Sequence, residues 1–299
     1  MKNILYTGYK AADVKKEMLT EGAVFHVLDI YHENALKKVF PGIKTVCSAD
    51  LPLGDWGLVQ FKTGPKLCSG ELSLDILQQC HSFGCPVKVD YIGRERDRND
   101  LLSKIKDDPK RQRVFRADWT ASVPGGPKLQ FSSYPGCFCH RRLDEGGLAL
   151  AEVVTRELTE RNFKKFSFLD MGCGSGLVGF LVKSVLPEVS LIMVDSHTRA
   201  IKAAKENSER FSMPAEFVLS DDGVKMSELD VFAGNPPYYS DYRIADVFLK
   251  TAFDTLKPGG LCYTVCKNAK GLESVQKNHF GNVTIIPRRG YAVLRSERK

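Results

Sequence analysis

From about residue 165 onward, apolar positions come in short runs of branched and aromatic residues, separated by stretches where they recur every three or four positions. The short runs fit strands buried between layers and the longer period fits amphipathic helices, so the alternation predicts a parallel sheet flanked by helices. Strands are expected at 166–171, 191–195, 216–219, 231–234 and 261–265, and helices at 177–186, 198–211 and 244–256. Lys257-Pro258-Gly259-Gly260 should end the last helix, because proline cannot continue it and glycine supplies the turn. Beyond it, runs at 283–286 and 291–294 around Pro287-Arg288-Arg289-Gly290 predict a hairpin that closes the sheet.

The first half repeats this pattern in damaged form: strand at 3–7, helix at 12–19, strand at 24–29, helix at 31–39. Gly8 falls where the second half has Gly172, and Asp29 falls near the spacing of Asp195, yet Tyr9, Lys10, Ala11 and Ala12 replace any glycine loop. The period is common to many α/β folds, so it does not by itself separate a pseudo-repeat from two unrelated units. The expected architecture is α/β with two Rossmann-like domains, 1–130 and 131–299, the first a degenerate copy of the second. A linker is expected at 117–130, where Pro124-Gly125-Gly126-Pro127 interrupts regular structure.

Composition adds limits rather than a function. A chain of 299 residues with 43% hydrophobic positions can fill two cores, which argues against general disorder. The net charge of +7 suits an anionic partner without requiring one. Charges at Lys10, Asp13, Lys15 and Lys16 argue against a signal peptide, and no apolar run reaches membrane-spanning length. Nine cysteines, an odd number without Cys-x-x-Cys pairs, predict reduced thiols in a cytoplasmic protein and no metal site.

Candidate chemistry begins with Asp170-Met171-Gly172-Cys173-Gly174-Ser175-Gly176, which runs from a strand into a helix. Glycines let the backbone turn and approach a ligand closely, and the helix start offers N–H groups. Asp195 ends the next strand, where its carboxylate can accept from ribose hydroxyls, and Asp221 or Asp222 after the third strand can take an adenine amine. Gly174, Gly176 and Gly179 also satisfy the dinucleotide fingerprint, so the glycines alone leave the cofactor open. Asp170 favours S-adenosylmethionine, because an acid there suits a cationic amino-acid group and repels a pyrophosphate.

Asn235-Pro236-Pro237-Tyr238 follows the fourth strand, at the edge where ligands bind in open α/β sheets. An amine conjugated to a ring is a poor nucleophile because its lone pair is delocalised. The Asn235 side-chain oxygen and the Pro236 carbonyl can each accept one N–H, turning the lone pair toward a methyl donor, while Tyr238 stacks on the planar group. No histidine base is needed. Together with the glycine loop, this tetrapeptide argues against a dehydrogenase.

With Tyr134-Pro135-Gly136-Cys137-Phe138-Cys139-His140 and Leu143-Asp144-Glu145-Gly146-Gly147 ahead of the glycine loop, the chain resembles the bacterial ribosomal RNA guanine-N2 methyltransferases of the RsmC type. Cys139 and Gly147 stand where that family has serines, and Tyr238 where it usually has phenylalanine. The resemblance implies a C-terminal seven-stranded class I methyltransferase sheet behind an inactive copy of the same fold. It also implies S-adenosylmethionine as cofactor, Phe138 and Asp144 beside it, and ribosomal RNA or a ribosomal subunit, small-subunit RNA first, as partner of a monomer or weak oligomer. Protein-glutamine or adenine methylation shares the Asn-Pro-Pro-Tyr motif and stands as the alternative, followed by a non-catalytic RNA-binding protein. Arg94, Arg96, Arg98, Lys104, Lys106, Lys110, Arg111, Arg113, Arg141, Arg142, Arg288 and Arg289 are candidate phosphate contacts, diluted by Glu95, Asp97, Asp107 and Asp108.

Overall fold

The computed structural model describes residues 3–65, 70–104, 114–237 and 242–299, in two compact units. The first comprises Met1–Arg116 with Tyr134–Cys137 and His197–Arg199; the second comprises Ala117–Ser133, Phe138–Ser196 and Ala200–Lys299.

In the first unit the elements are β1 (Asn3–Thr7), β2 (Ala23–Val27), α1 (Ile30–Val39), β3 (Thr45–Cys47), β4 (Trp56–Thr63), α2 (Gly70–Ser82), β5 (Val87–Tyr91) and α3 (Glu95–Ser103). The five strands are parallel, in the order β3-β2-β1-β4-β5. Successive residues of β1 serve opposite faces, as a strand requires: Leu5 packs with Val59, Phe61 and Leu77, and Tyr6 with Phe25 and Leu36. Asp29 starts α1 by accepting the Tyr31 N–H at 2.9 Å. The helix expected at 12–19 is instead two short 3-10 turns, Ala11–Asp13 and Lys16–Met18. Only Met18 of that stretch is buried, so no apolar face holds a longer helix in place.

The second unit opens with an antiparallel hairpin, β6 (Ala117–Ala121) and β7 (Leu129–Ser133). This replaces the linker expected at 117–130, and the prolines and glycines form the bend of the hairpin rather than a domain boundary. Trp119 stacks on the fully buried Phe131 with ring centroids 4.7 Å apart, which fastens the hairpin to this unit's core. There follow α4 (Glu145–Glu160), β8 (Ser167–Met171), α5 (Leu177–Val185), β9 (Ser190–Asp195), α6 (Thr198–Phe211) and β10 (Glu216–Leu219). The unit ends with β11 (Leu229–Gly234), α7 (Arg243–Thr255), β12 (Leu256–Cys266), α8 (Ala269–Phe280), β13 (Thr284–Arg288) and β14 (Tyr291–Glu297).

Its seven strands are ordered β10-β9-β8-β11-β12-β14-β13; the first five are parallel and the closing pair antiparallel. Counted within each unit, both parallel sets follow the order 3-2-1-4-5, so the damaged repeat is a repeat of topology. Helix α7 stops at Thr255, but the expected turn at 257–260 lies inside β12. Leu229 pairs with Leu256 and Val231 with Leu261, leaving the residues between as a bulge.

Candidate active site

The carboxyl ends of β10, β9, β8, β11 and β12 form one edge of the second unit's sheet, and the residues singled out from sequence leave the sheet there. Strand β8 is central, so its loop stands at the switch point where ligands bind in open α/β sheets.

The backbone turns from β8 into α5 through Gly172, Gly174 and Gly176, all at positive φ. A Cβ at Gly172 would stand 2.9 Å from Phe248, and one at Gly176 would collide with Phe180, so protein already packs both positions. At Gly174, with φ of +56°, a Cβ would meet nothing within 4 Å. That open space beside bare backbone is what a ligand fitted to the loop requires. The Gly172 and Cys173 N–H groups donate to the Val194 carbonyl, and the Gly174 N–H donates to Asp195 Oδ2 at 2.9 Å. Asp195 therefore holds the loop as well as ending β9.

Asp221 and Asp222 follow β10, whose Leu219 pairs with Asp195 in register. Asp222 is exposed and accepts from the Ser220 hydroxyl at 2.9 Å, while Asp221 is half-buried. Asp170 departs from its expected place. It is 2% exposed, and its Oδ2 accepts the Gly179 N–H at 2.9 Å in the first turn of α5. Burial pushes its carboxyl up to about 7, against the Gly179 hydrogen bond, and the Asp195 charge adds to the rise. Asp170 thus anchors the helix behind the loop instead of presenting a charge to a cationic ligand.

Asn207 was not expected from the sequence. It is fully buried on α6, accepts from Ser132 N–H, and donates to the carbonyls of Ser132 and Ser175 at 3.1 and 2.9 Å. A buried amide with both ends used fixes the loop from behind. Its signal was a polar residue on the apolar face of an amphipathic helix.

Asn235 follows Gly234, which pairs with Met171 of β8 and Thr264 of β12, so it emerges beside the glycine loop. Its Nδ2 donates to Asp144 Oδ2 at 2.9 Å. Asp144 caps α4, its Oδ1 accepting the Gly146 N–H at 3.0 Å. An ionised carboxylate only accepts, so the amide NH2 of Asn235 must face Asp144 and its Oδ1 must point the other way. Gly147 makes room for this: a Cβ there would stand 2.6 Å from Asp144 Oδ2 and 3.2 Å from Leu177, the first residue of α5. Asp144, expected beside a cofactor, is thus joined directly to Asn235. Pro236 is buried and Pro237 half-buried. Tyr238 lies outside the described residues, and so does its expected stacking role. Phe138 is 70% exposed ahead of α4.

Several candidate phosphate contacts are committed elsewhere. Arg288 and Arg289 both pair with Glu152, whose side chain is 4% exposed, and Arg289 also reaches Glu145. Burial opposes the Glu152 charge, but Arg289 and then Arg288 hold its carboxyl below the usual range. Arg94 pairs with Asp97 and Lys104 with Asp100, whereas Arg141 and Arg142 are exposed. Lys106, Lys110, Arg111 and Arg113 lie outside the described residues.

Residues 128–295 match the model of the methyltransferase small domain. The chain belongs to that family. Its methyltransferase small domain takes in β7 and every later element up to β14. Among similar proteins, ribosomal RNA small subunit methyltransferase C of Hahella chejuensis is 29% identical over 163 residues, covering 53% of this chain and 46% of its own length. Ribosomal RNA large subunit methyltransferase G of Streptomyces avermitilis is 28% identical over 176 residues, covering 56% of this chain and 45% of its own. The chain thus spans about half the length of these relatives. Among solved structures, the T. thermophilus 16S rRNA N2 methyltransferase in complex with AdoMet and guanosine aligns with a TM-score of 0.79 at 15% identity, over 100% of this chain and 89% of that one. At that identity the likeness shows a shared fold, and it covers the first unit as well as the methyltransferase small domain.

Proposed function

We propose that the second unit is an S-adenosylmethionine-dependent methyltransferase of the RsmC type, acting on the exocyclic N2 amine of a guanine in ribosomal RNA, small-subunit RNA first. The first unit is a catalytically silent copy that positions the RNA. The relatives' names support the substrate, and the observation that carries the reading is the Asp144–Asn235 hydrogen bond. It aims an amide oxygen away from Asp144, next to a loop with open space at Gly174.

S-adenosylmethionine, when bound, supplies a methyl group on a positively charged sulfur. Around it, Gly174 would offer bare backbone in the turn that Gly172 and Gly176 shape, Asp195 would accept from the ribose hydroxyls, and Asp221 or Asp222 would take the adenine amine. Asp170 keeps α5 in place beneath them, and Phe138 offers an exposed apolar face. Asn235 Oδ1 and the Pro236 carbonyl would each accept one N–H of the guanine amine, turning its lone pair toward the bound cofactor. As the carbon–nitrogen bond forms, the carbon–sulfur bond breaks to leave a neutral thioether, and the amine gives up one of its two protons to solvent; Tyr238 would stack on the base. Orientation of this kind can lower a barrier by roughly 7–11 kcal/mol at most. The base has to be unpaired or flipped out to enter.

The silent reading of the first unit rests on what fills its strand ends. After Gly8 comes Tyr9, only 5% exposed, edge-on to Tyr6 at 5.6 Å and hydrogen-bonded through its hydroxyl to Asp90. Lys62, at the end of β4, pairs with Asp13 and lies 5.9 Å from the Tyr9 ring centre. An aromatic ring and an ion pair thus fill the first unit's strand ends, and with Gly8 set against Gly172 it is Lys10, not a glycine, that stands at the position of Gly174.

The protein is proposed to work in the cytoplasm on ribosomal RNA or a subunit, as a monomer or weak oligomer; no described helix is long and apolar enough to cross a membrane. The test is transfer of labelled methyl from S-adenosylmethionine to small-subunit RNA, assembled small subunits, large-subunit RNA and a release factor. Label in N2-methylguanosine, nearly lost in Asn235→Ala, is expected, with one cofactor bound per chain by calorimetry. Label only in a release-factor glutamine or in adenine would replace guanine by the second reading, which shares the tetrapeptide. Absence of cofactor binding with and without RNA would leave a non-catalytic RNA-binding protein.

A further inference from the structure

Lys267 leaves the end of β12 and Tyr291 opens β14; their neighbours Cys266 and Ala292 pair across the antiparallel ladder, so the two side chains meet at the sheet edge. The Lys267 ammonium lies 5.1 Å from the centre of the Tyr291 ring. The ring also packs against the start of α4, where a Cβ at Gly146 would stand 3.1 Å from it. Gly146 donates its N–H to Asp144, and Asp144 holds Asn235. An unbroken line of contacts within the second unit therefore runs from Lys267 to the acceptor asparagine. Burial, and then the charges of Asp144, Cys139 and Glu145, raise the Tyr291 phenol, so it keeps its proton beneath the cation.

Three arginines of the closing hairpin are neutralised, whereas Arg142, whose charge also acts on Tyr291, is exposed. Arg288 and Arg289 are tied to Glu152, and Arg295 to Glu157. Lys267 is exposed, and among the described residues no carboxylate pairs with it. An ammonium steadied on an aromatic ring, without an acidic partner, suits an external anion.

We propose that Lys267, held in place by Tyr291, contacts a backbone phosphate of the RNA next to the target guanine. This rests on the RNA-methyltransferase reading and adds a residue that holds the strand while Asn235 addresses the base. A phosphate contact carries no base information, so it sets affinity and salt dependence and leaves sequence preference alone.

The experiment is binding of the full chain to purified small-subunit ribosomal RNA over a range of salt concentrations, together with cofactor affinity and thermal unfolding. Loss of one phosphate contact in Lys267→Gln should make the slope of log affinity against log salt shallower by about 0.7–0.9. Cofactor affinity and melting temperature should stay at the wild-type level, and Lys267→Arg should restore the slope. Tyr291→Leu should lose part of the same affinity and add nothing to Lys267→Gln in the double variant, because it acts through the same ammonium. Tyr291→Phe, which keeps the ring, should behave as wild type and guards against a folding defect. A wild-type slope in Lys267→Gln, or additive losses in the double variant, overturns the phosphate contact while leaving the methyltransferase reading intact. Failure of the wild-type chain to bind or methylate any RNA overturns both.

Discussion

Asn235 Nδ2 donates to Asp144 Oδ2 at 2.9 Å, joining the end of a sheet strand to the cap of a helix 91 residues earlier. The carboxylate decides which way the amide faces, so the pair is expected to act as a unit. Asp144→Ala should lower kcat by about 10–100-fold, the scale of a misplaced reacting group, with cofactor affinity little changed. Asn235→Asp should be worse, because two carboxylates would face one another and the accepting oxygen would lose its fixed direction. Steady-state kinetics with calorimetry checks both; wild-type kcat in Asp144→Ala would sink the positioning role.

Gly174 and Gly176 should respond differently to the same substitution. Gly174→Ala meets no protein atom and incurs only the cost of a left-handed backbone, about 1–2 kcal/mol, so it should remain folded. Its methyl group would enter the space assigned to the cofactor, and cofactor affinity should fall at least tenfold, on the order of 1.4 kcal/mol. Gly176→Ala collides with Phe180 and should fail as a folding defect instead. Thermal melts with and without S-adenosylmethionine separate the outcomes, and an undiminished cofactor-induced shift in Gly174→Ala would rule out this site.

Asp170 has its folded-state value pushed up to about 7 by burial, above the ordinary carboxylate value of 3.8. A raised group contributes stability that is full below the unfolded value and is lost as pH climbs through the folded one, here between about 4 and 7. Buried His26 and half-buried His197 act in the opposite sense: desolvation lowers both to about 4, so their contribution is lost as pH falls from 6.5 toward 4. Comparing variants isolates the aspartate. Asp170→Asn keeps an acceptor for Gly179, so denaturant unfolding should show its stability gain over wild type growing from pH 4 to pH 7. Parallel curves would mean that Asp170 is ionised throughout.

Much of the second unit was legible in the sequence because its central strands β8, β9, β11 and β12 are buried along most of their length and read as continuous apolar runs; the edge strand 216–219 and the helix 198–211 agree with β10 and α6 to the residue. The helix expected at 12–19 shows the converse. Its residues have helical propensity, but only Met18 finds a core, and propensity without burial did not suffice. Helix α4 escaped the pattern because twelve of its sixteen residues are buried, which erases the polar stripe that marks a surface helix. The hairpin β6–β7 was hidden for another reason: proline and glycine mark a bend, and only the packing of Trp119 on Phe131 says which side of a boundary the bend belongs to.

The sequence by itself determined the alternation of strands and helices, the damaged first copy, the glycine turn after β8 and the rigid Asn-Pro-Pro after β11. Each is a local property, set by side-chain period or by the φ that glycine and proline permit. Only the tertiary structure decided that Asp144 aims Asn235, that Asp170 faces the helix rather than a ligand, that Glu152 claims Arg288 and Arg289, and that Tyr9 fills the first unit's strand ends. These depend on which distant residues strand order and helix packing bring within hydrogen-bond reach, and no period along the chain records that.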